Sequence, residues 1–280
     1  PETTLRALDD HEITGLLAVP TQLEALLEEQ DQVDADLDAL SYIRTGGAIV
    51  SDDLIDRTRA AFTEGVFNTY GLTEGVINLT FAYPEDQRDH PGTIGKGSFL
   101  WTLRVVETAE PPATPDPDAE VDAGESGEIL ARGPRMIDGY LDPPPEAESP
   151  FVDGWLRTGD VARVDEDGYL VVIDRVDNMI SSGGENVYPK EVERALRDHP
   201  GVRDAGVVGL PDDRWGEVVA AVVVAEGGVT EDDLDAHCRD HDTLADFKRP
   251  RKYALRGSEE PIPRTATGTL QQDAVADLFE

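Results

Sequence analysis

Apolar and polar positions alternate along the 280 residues in two distinct textures. Residues 13–19 (Ile-Thr-Gly-Leu-Leu-Ala-Val) make a short apolar run that predicts a buried strand. Pro20 follows, and Thr21 suits the cap of a helix reaching about Gln30. Tyr42 and Ile43 lead a second strand into Thr45-Gly46-Gly47. Ser51 caps the next predicted helix, which runs to about Phe62, and Val66–Thr69 is a third strand ending at Tyr70-Gly71. Alternating strands and helices predict a parallel sheet with helices on its faces. Ligands of such sheets bind where loops leave the carboxyl ends of strands, and both Gly46-Gly47 and Tyr70-Gly71 fall there.

After Thr80 the pattern shortens. Strands at Leu103–Val106 and Glu128–Ala131 are separated by proline-rich stretches at Pro111–Pro117 and Pro143–Pro145, which predicts a smaller, mostly β subdomain. Residues 161–173 read as a hairpin turning at Asp165-Glu-Asp-Gly168. A second α/β domain starts near Asp177. It has predicted helices at Pro189–Arg197, Glu231–Asp240 and Leu270–Phe279, and strands at Val202–Val208 and Val218–Val224.

Charge changes the picture. The chain carries 24 Lys+Arg against 59 Asp+Glu, a formal net charge of −35, yet keeps 39% hydrophobic residues. A disordered acidic chain lacks such apolar content, so the carboxylates belong on the surface of a folded protein. That surface suits a cytoplasm at molar salt, with an acidic partner-binding face as the alternative. Nucleic acid is a poor partner, because phosphate contacts need a basic footprint. Cys238 is the single cysteine, which excludes an internal disulfide and fits a reducing cytosol. No run is long and apolar enough for membrane insertion. The chain begins at Pro1 without a methionine, which reads as a fragment, a processed chain or an edited one.

Several constellations carry chemistry. The ends of the predicted hairpin bring Thr158-Gly-Asp160 beside Asp174-Arg175. Asp160 there can accept from a vicinal diol such as ribose and Arg175 can donate to the sugar or a phosphate, while a plain surface ion pair explains the same residues. Gly46-Gly47-Ala48 and Tyr70-Gly71-Leu72-Thr73-Glu74-Gly75 offer unhindered amides, a hydroxyl and a carboxylate. Those groups suit a phosphate and a Mg²⁺ ion, with ordinary turn glycines as the alternative. Ser181-Ser182-Gly183-Gly184 is a third such loop, where a narrow ligand can pass close to the backbone. Gly92–Gly97 precedes a strand rather than a helix, so it is no dinucleotide loop. His237, Cys238 and His241 share a helical turn but lack a second ligand cluster, and a solvated helix face is the better reading.

Four segments in order resemble the adenylate-forming superfamily of acyl-CoA synthetases, nonribosomal adenylation domains and luciferases. They are Asn68–Glu74, Gly154–Asp160, Asp174–Pro189 and Pro263–Gly268, and they span almost the whole chain. The likeness is greatest to acyl-CoA and aryl-CoA ligases of the halobenzoate and coumarate types. It implies an α/β chain in two parts: residues 1–176 as the C-terminal part of a large AMP-binding domain (parallel sheet layers plus a small β subdomain), and 177–280 as a small, mobile α+β domain. It also implies ATP, Mg²⁺ and CoA as ligands and a carboxylic acid substrate, activated to acyl-AMP and passed to CoA.

By the same resemblance, Gly46, Gly47 and Ala48 form acyl and adenine walls. Asn68, Tyr70, Gly71 and Thr73 meet AMP, Glu74 meets Mg²⁺, and Asp160 and Arg175 meet the ribose. Asp177 is the hinge. Ser182, Gly183 and Gly184 line the pantetheine path, and Trp215, Phe247, Arg249 and Arg251 hold the CoA nucleotide. Gln22 stands where some relatives have a histidine near the acyl pocket, and Val76 and Ile77 hint at an apolar lining. Two departures stand out. The family's Gly/Ser/Thr-rich phosphate loop is absent and belongs upstream of Pro1. Thr269 replaces the lysine that bridges substrate and α-phosphate; it lacks the charge and the reach, so adenylation is in doubt, while the thioester step does not use that lysine and can survive if the rest of the enzyme is present. A domain loading a carrier-protein thiol and a non-catalytic AMP- or CoA-binding protein are the alternatives; a homodimer is left open.

Overall fold

The computed structural model describes residues 1–76, 78–109, 113–142, 144, 149–257, 259–265 and 270–279. They divide into two units, Pro1–Val172 and Ile173–Glu280.

The first unit opens with α1 (Glu2–Asp10), β1 (Gly15–Leu17), α2 (Pro20–Glu29), β2 (Tyr42–Gly46), α3 (Asp52–Ala61), β3 (Val66–Gly71), β4 (Asn78–Ala82), α4 (Pro84–Asp89) and β5 (Lys96–Gly97). The sheet runs β1-β2-β3-β4-β5. Its first three strands are parallel, and β4 and β5 join antiparallel, so the sheet is mixed rather than purely parallel. The register aligns Leu16, Ile43 and Val66 on one face. There they pack under Leu23 of α2 and Leu54 and Ile55 of α3.

Local chemistry explains the boundaries. Ser51 caps α3 as expected, its hydroxyl accepting from the Leu54 amide at 3.2 Å. The cap of α2 is not Thr21: the helix starts at Pro20, whose fixed φ suits the first turn. The Gln22 side chain instead reaches back to accept from the Val19 amide at 3.1 Å. Helix α1 has no counterpart in the sequence pattern above, and its Leu5 and Leu8 are buried.

The second sheet of this unit is antiparallel. It is built from β6 (Thr102–Val106), β7 (Ser126–Arg132), β8 (Phe151–Val152), β9 (Trp155–Val164) and β10 (Leu170–Arg175, of which 173–175 fall in the second unit), in the order β10-β9-β7-β6 with β8 against β9. Backbone hydrogen bonds join the sheets, Ile94 N–H to Leu170 C=O at 2.8 Å and Leu170 N–H to Gly95 C=O at 3.1 Å. Gly95 sits at φ +87° with a virtual Cβ 2.0 Å from the Phe81 carbonyl, so only glycine fits the joint. The β9–β10 turn docks on α4. His90 meets the Asp165 carboxylate at 2.7 Å, and Tyr169 donates to Asp86 at 2.6 Å.

The second unit holds β11 (Ile180–Ser182), β12 (Glu185–Val187), α5 (Pro189–Arg197), β13 (Val202–Asp212), β14 (Gly216–Ala225), α6 (Glu231–Asp240), β15 (Lys252–Arg256) and α7 (Gln272–Ala276). The order is β12-β11-β14-β13, with β15 parallel to β14. Strand β14 is buried on both faces, which accounts for its unbroken apolar run. One face packs Val219, Ala221 and Val223 against Leu196 and Leu234; the other packs Ala220 and Val222 against Ile262 and Val275. Three expectations change here. Ser181–Gly184 is the end of a tight hairpin, not an open loop. The last helix is shorter than Leu270–Phe279 and ends in a 3₁₀ turn. Cys238 faces the core rather than solvent, and no group of three metal-ligating side chains occurs among the described residues. No described helix is long and apolar enough to cross a membrane.

Candidate active site

Parallel pairing of β2 with β3 brings Gly46 level with Thr69. A Cβ at Gly46 (φ +150°) would lie 2.0 Å from the Thr69 carbonyl oxygen, so the strand ends approach this closely only with glycine. Gly47 follows at φ +81°, and Gly47 and Ala48 are exposed. Past β3 the chain makes a 3₁₀ turn at Thr73–Gly75, with Thr73 exposed, and enters Val76 at φ 61°. Positive φ at a β-branched residue is a real outlier, and such strain gathers where a loop is held for function.

Tyr70 and Asp160 come together across 90 residues. The phenol donates to Asp160 Oδ2 at 2.7 Å. Asp160 is held from behind, its amide donating to Thr158 Oγ1 at 3.1 Å while that hydroxyl donates to the Ile129 carbonyl at 2.8 Å. Asn68 is buried, and its amide donates to the Thr93 carbonyl at 3.0 Å, tying β3 to the loop between α4 and β5. Glu74 accepts at Oε1 from the Tyr140 phenol. That hydrogen bond, with some burial, pushes the phenol above its ordinary pKa. One hard carboxylate oxygen with few other protein ligands is the donor set of a Mg²⁺ that takes its remaining ligands from phosphates and water, so Glu74 fits that ion.

In the second unit Arg175 lies 3.5 Å from Asp177. Asp174 beside it is 3% exposed. It accepts from the Arg175 and Lys190 amides, each at 2.8 Å, and from the Asn178 side chain at 2.7 Å, which ties the turn at 176–178 to the start of α5. Gly183 and Trp215 meet: the Gly183 amide donates to the Trp215 carbonyl at 2.9 Å, and a Cβ at Gly183 would lie 2.6 Å from the indole. Ser182 pairs with Gly216 at the same place, and Gly184 opens to solvent at φ +87°. The half-exposed Trp215 carries the Arg214 guanidinium 4.6 Å from its ring. Phe247 is exposed. Arg249 is engaged by Asp235 and, at 3.1 Å, by Asp246; Arg251 reaches the Asp246 carboxylate at 3.9 Å. Ile77, Gly268 and Thr269 lie outside the described residues.

Sequence reasoning missed Tyr140 and Asp174. Tyr140 stands alone between Gly139 and the prolines at 143–145, with no partner nearby in sequence to mark it. Asp174 adjoins Arg175, and an adjacent opposite charge reads as a surface ion pair, which gives no sign of its burial.

Comparisons with known proteins identify the family. The model of the AMP-binding enzyme family matches residues 1–141, and that of the AMP-binding enzyme C-terminal domain matches 191–269. The chain belongs to the AMP-binding enzyme family. Among its relatives, a feruloyl-CoA synthase of an Amycolatopsis species is 37% identical over 287 residues, covering 100% of this chain and 54% of the relative. A 2-succinylbenzoate–CoA ligase of Bacillus velezensis is 34% identical, covering 98% of this chain and 53% of the relative.

Solved structures agree. The o-succinylbenzoate CoA synthetase of Bacillus subtilis, in complex with its acyl-adenylate intermediate, superposes with TM-score 0.78 at 32% identity, over 97% of this chain and 52% of that one. The amide bond synthetase of Marinactinospora thermotolerans gives 0.82 at 30%, over 100% and 55%. The chain thus spans about half the length of the relatives it matches.

Proposed function

We propose that the chain is part of an acid–thiol ligase that joins a carboxylic acid, fatty or aryl, to coenzyme A with ATP as the driving reagent. The observation that carries this is the Tyr70–Asp160 hydrogen bond. It fixes a carboxylate for the ribose diol beside the loops at 46–48 and 71–75, in a chain whose relatives are CoA ligases over its whole length.

The reaction has two steps. A substrate carboxylate oxygen attacks the α-phosphorus of ATP, forming the acyl–phosphate bond while pyrophosphate leaves with the electron pair. The CoA thiolate then attacks the acyl carbon, and AMP leaves. Positioning and charge neutralisation dominate the first step. Gly46–Ala48 flank the adenine and acyl group, Asp160 and Arg175 take the ribose, and Thr73 donates to the α-phosphate. Glu74 would hold Mg²⁺, which supplies positive charge against the phosphates when bound.

Residues 177–280 act as a small domain turning about Asp177, with Ser182–Gly184 and Trp215 along the CoA path. Phe247, Arg249 and Arg251 complete that CoA surface once Arg249 exchanges Asp235 and Asp246 for phosphate. Thr269 removes the bridging charge, so adenylation is impaired and thioester formation persists. The same substitution favours a second reading, a protein that binds AMP or CoA without turnover. A cytoplasm at molar salt completes the reading, with the single buried thiol kept reduced, and a homodimer is compatible with it.

The test is direct. The protein in molar KCl is mixed with pre-made acyl-adenylates and CoA, and AMP release and thioester formation are followed by mass spectrometry. Thioester from one adenylate supports the ligase. AMP binding without thioester across the panel moves the reading to binding alone.

A further inference from the structure

Glu74 is gripped twice by one distant segment. Its backbone carbonyl accepts from the Ile137 amide at 2.9 Å, and its carboxylate Oε1 accepts from the Tyr140 phenol, 66 residues away. That segment is itself anchored. A Cβ at Gly133 would lie 2.5 Å from the Leu100 carbonyl and 2.6 Å from the Trp101 ring, so the chain passes tightly over Trp101. Met136 packs into the cluster of Leu79, Trp101, Ala131 and Leu156. On the other side, Glu74 belongs to the turn that ends in the strained Val76, at φ 61° and ψ −36°.

The kind of partner matters. An arginine or lysine at this place would neutralise the carboxylate and repel a second cation. A phenol donates a hydrogen bond and leaves the whole negative charge in place. It also occupies one oxygen: Oε2 has no hydrogen-bond partner among the described residues. Tyr140 is 54% exposed, so the pair lies at the surface where nucleotide phosphates and a hydrated ion can reach it.

We propose that Tyr140 is a positioning residue for the divalent cation that accompanies ATP, holding Glu74 by Oε1 so that Oε2 faces the ion. This rests on the reading of Glu74 as the cation's carboxylate. Groups that orient a metal-binding carboxylate are worth about 10-fold in affinity.

The experiment measures free Mn²⁺ by electron paramagnetic resonance, with ATP present. Four forms of the chain are compared: wild type, Y140F, E74Q and the double variant. Potassium chloride at about 1 M shortens the Debye length to about 3 Å and suppresses diffuse uptake by the acidic surface. Circular-dichroism melts check that each variant is folded. The expected result is weaker Mn²⁺ binding in E74Q, a loss of about 10-fold in Y140F, and a double variant no weaker than E74Q. If E74Q binds Mn²⁺ as wild type does, the reading of Glu74 fails and the proposal falls with it. If E74Q is weak while Y140F binds as wild type, Glu74 keeps its role and the proposal alone is overturned. An equal loss from Y140F in the wild-type and E74Q backgrounds also overturns it, because Tyr140 would then act on the fold and not through the carboxylate.

Discussion

Replacing Arg157 with alanine is expected to destabilise the first unit by about 3–5 kcal/mol, the cost of stranding one partner of a buried ion pair. Glu128 on β7 is fully buried at 0% exposure. Both of its oxygens are met by Arg157 of β9, Nε to Oε1 at 3.2 Å and a terminal nitrogen to Oε2 at 3.1 Å. No other group among the described residues bonds that carboxylate, so the variant places an uncompensated charge between two strands. Domains of ordinary stability hold about 5–15 kcal/mol in all, so the loss is a large share of the total. The assay is urea unfolding in molar KCl, followed by tryptophan fluorescence, which Trp101 and Trp155 in the same unit report.

The double variant E128Q/R157A separates the causes. Removing the stranded charge recovers at least half of the deficit if desolvated charge is the origin. Salt changes the R157A deficit little, because the pair is buried and poorly screened. A deficit under about 1 kcal/mol, the range of exposed pairs, would refute the reasoning. So would a double variant as unstable as R157A, which would mean that the Arg157 stem, not its charge, is what the sheet needs.

Other outcomes follow from single contacts. Asp174→Ala leaves three donors without their buried acceptor, a cost of about 2–4 kcal/mol, and hydrogen exchange at the Lys190 amide rises with it. Gly46→Ala forces a Cβ against the Thr69 carbonyl; lowered thermal stability together with lost AMP binding is expected, read by melting and calorimetry. The hydrogen bond to Asp86, with some burial, pushes the Tyr169 phenol up to about 12. A raised folded-state pKa means stability that is complete below the ordinary tyrosine value and lost as pH climbs through about 12; D86N therefore moves one tyrosine of an alkaline absorbance titration to lower pH. At Asp165, burial alone would raise the pKa, but the Tyr169 amide and His90 outweigh it and the net direction is down. Its contribution is present above the ordinary carboxylate range and lost as pH falls through the lower folded value, so D165N flattens the acid limb of the stability curve.

Much of the local geometry of the candidate site is legible in the sequence, and the reason is local. Gly46-Gly47, the 70–75 loop and Ser51 act through backbone conformation and short-range hydrogen bonds, which neighbouring residues specify. Helices α5 and α6 begin and end where proline, threonine and the apolar period place them. Helix α1 was invisible because its two buried leucines form too short a stripe to read. Strand β15 escaped because a five-residue edge strand is recognised mainly by its partner β14.

What the chain's order of residues determined by itself was the set of elements, the excess of acidic charge and the glycine-bearing turns. Only the tertiary structure decided which polar groups meet. Tyr70 reaches Asp160 across 90 residues, Tyr140 reaches Glu74 across 66, and Arg157 finds Glu128 across 29. Asn68 on β3 donates to the Thr93 carbonyl across 25 residues. The physical reason is that a hydrogen bond requires two groups within about 3 Å, and separation along a chain says nothing of that distance until the sheet registers are set.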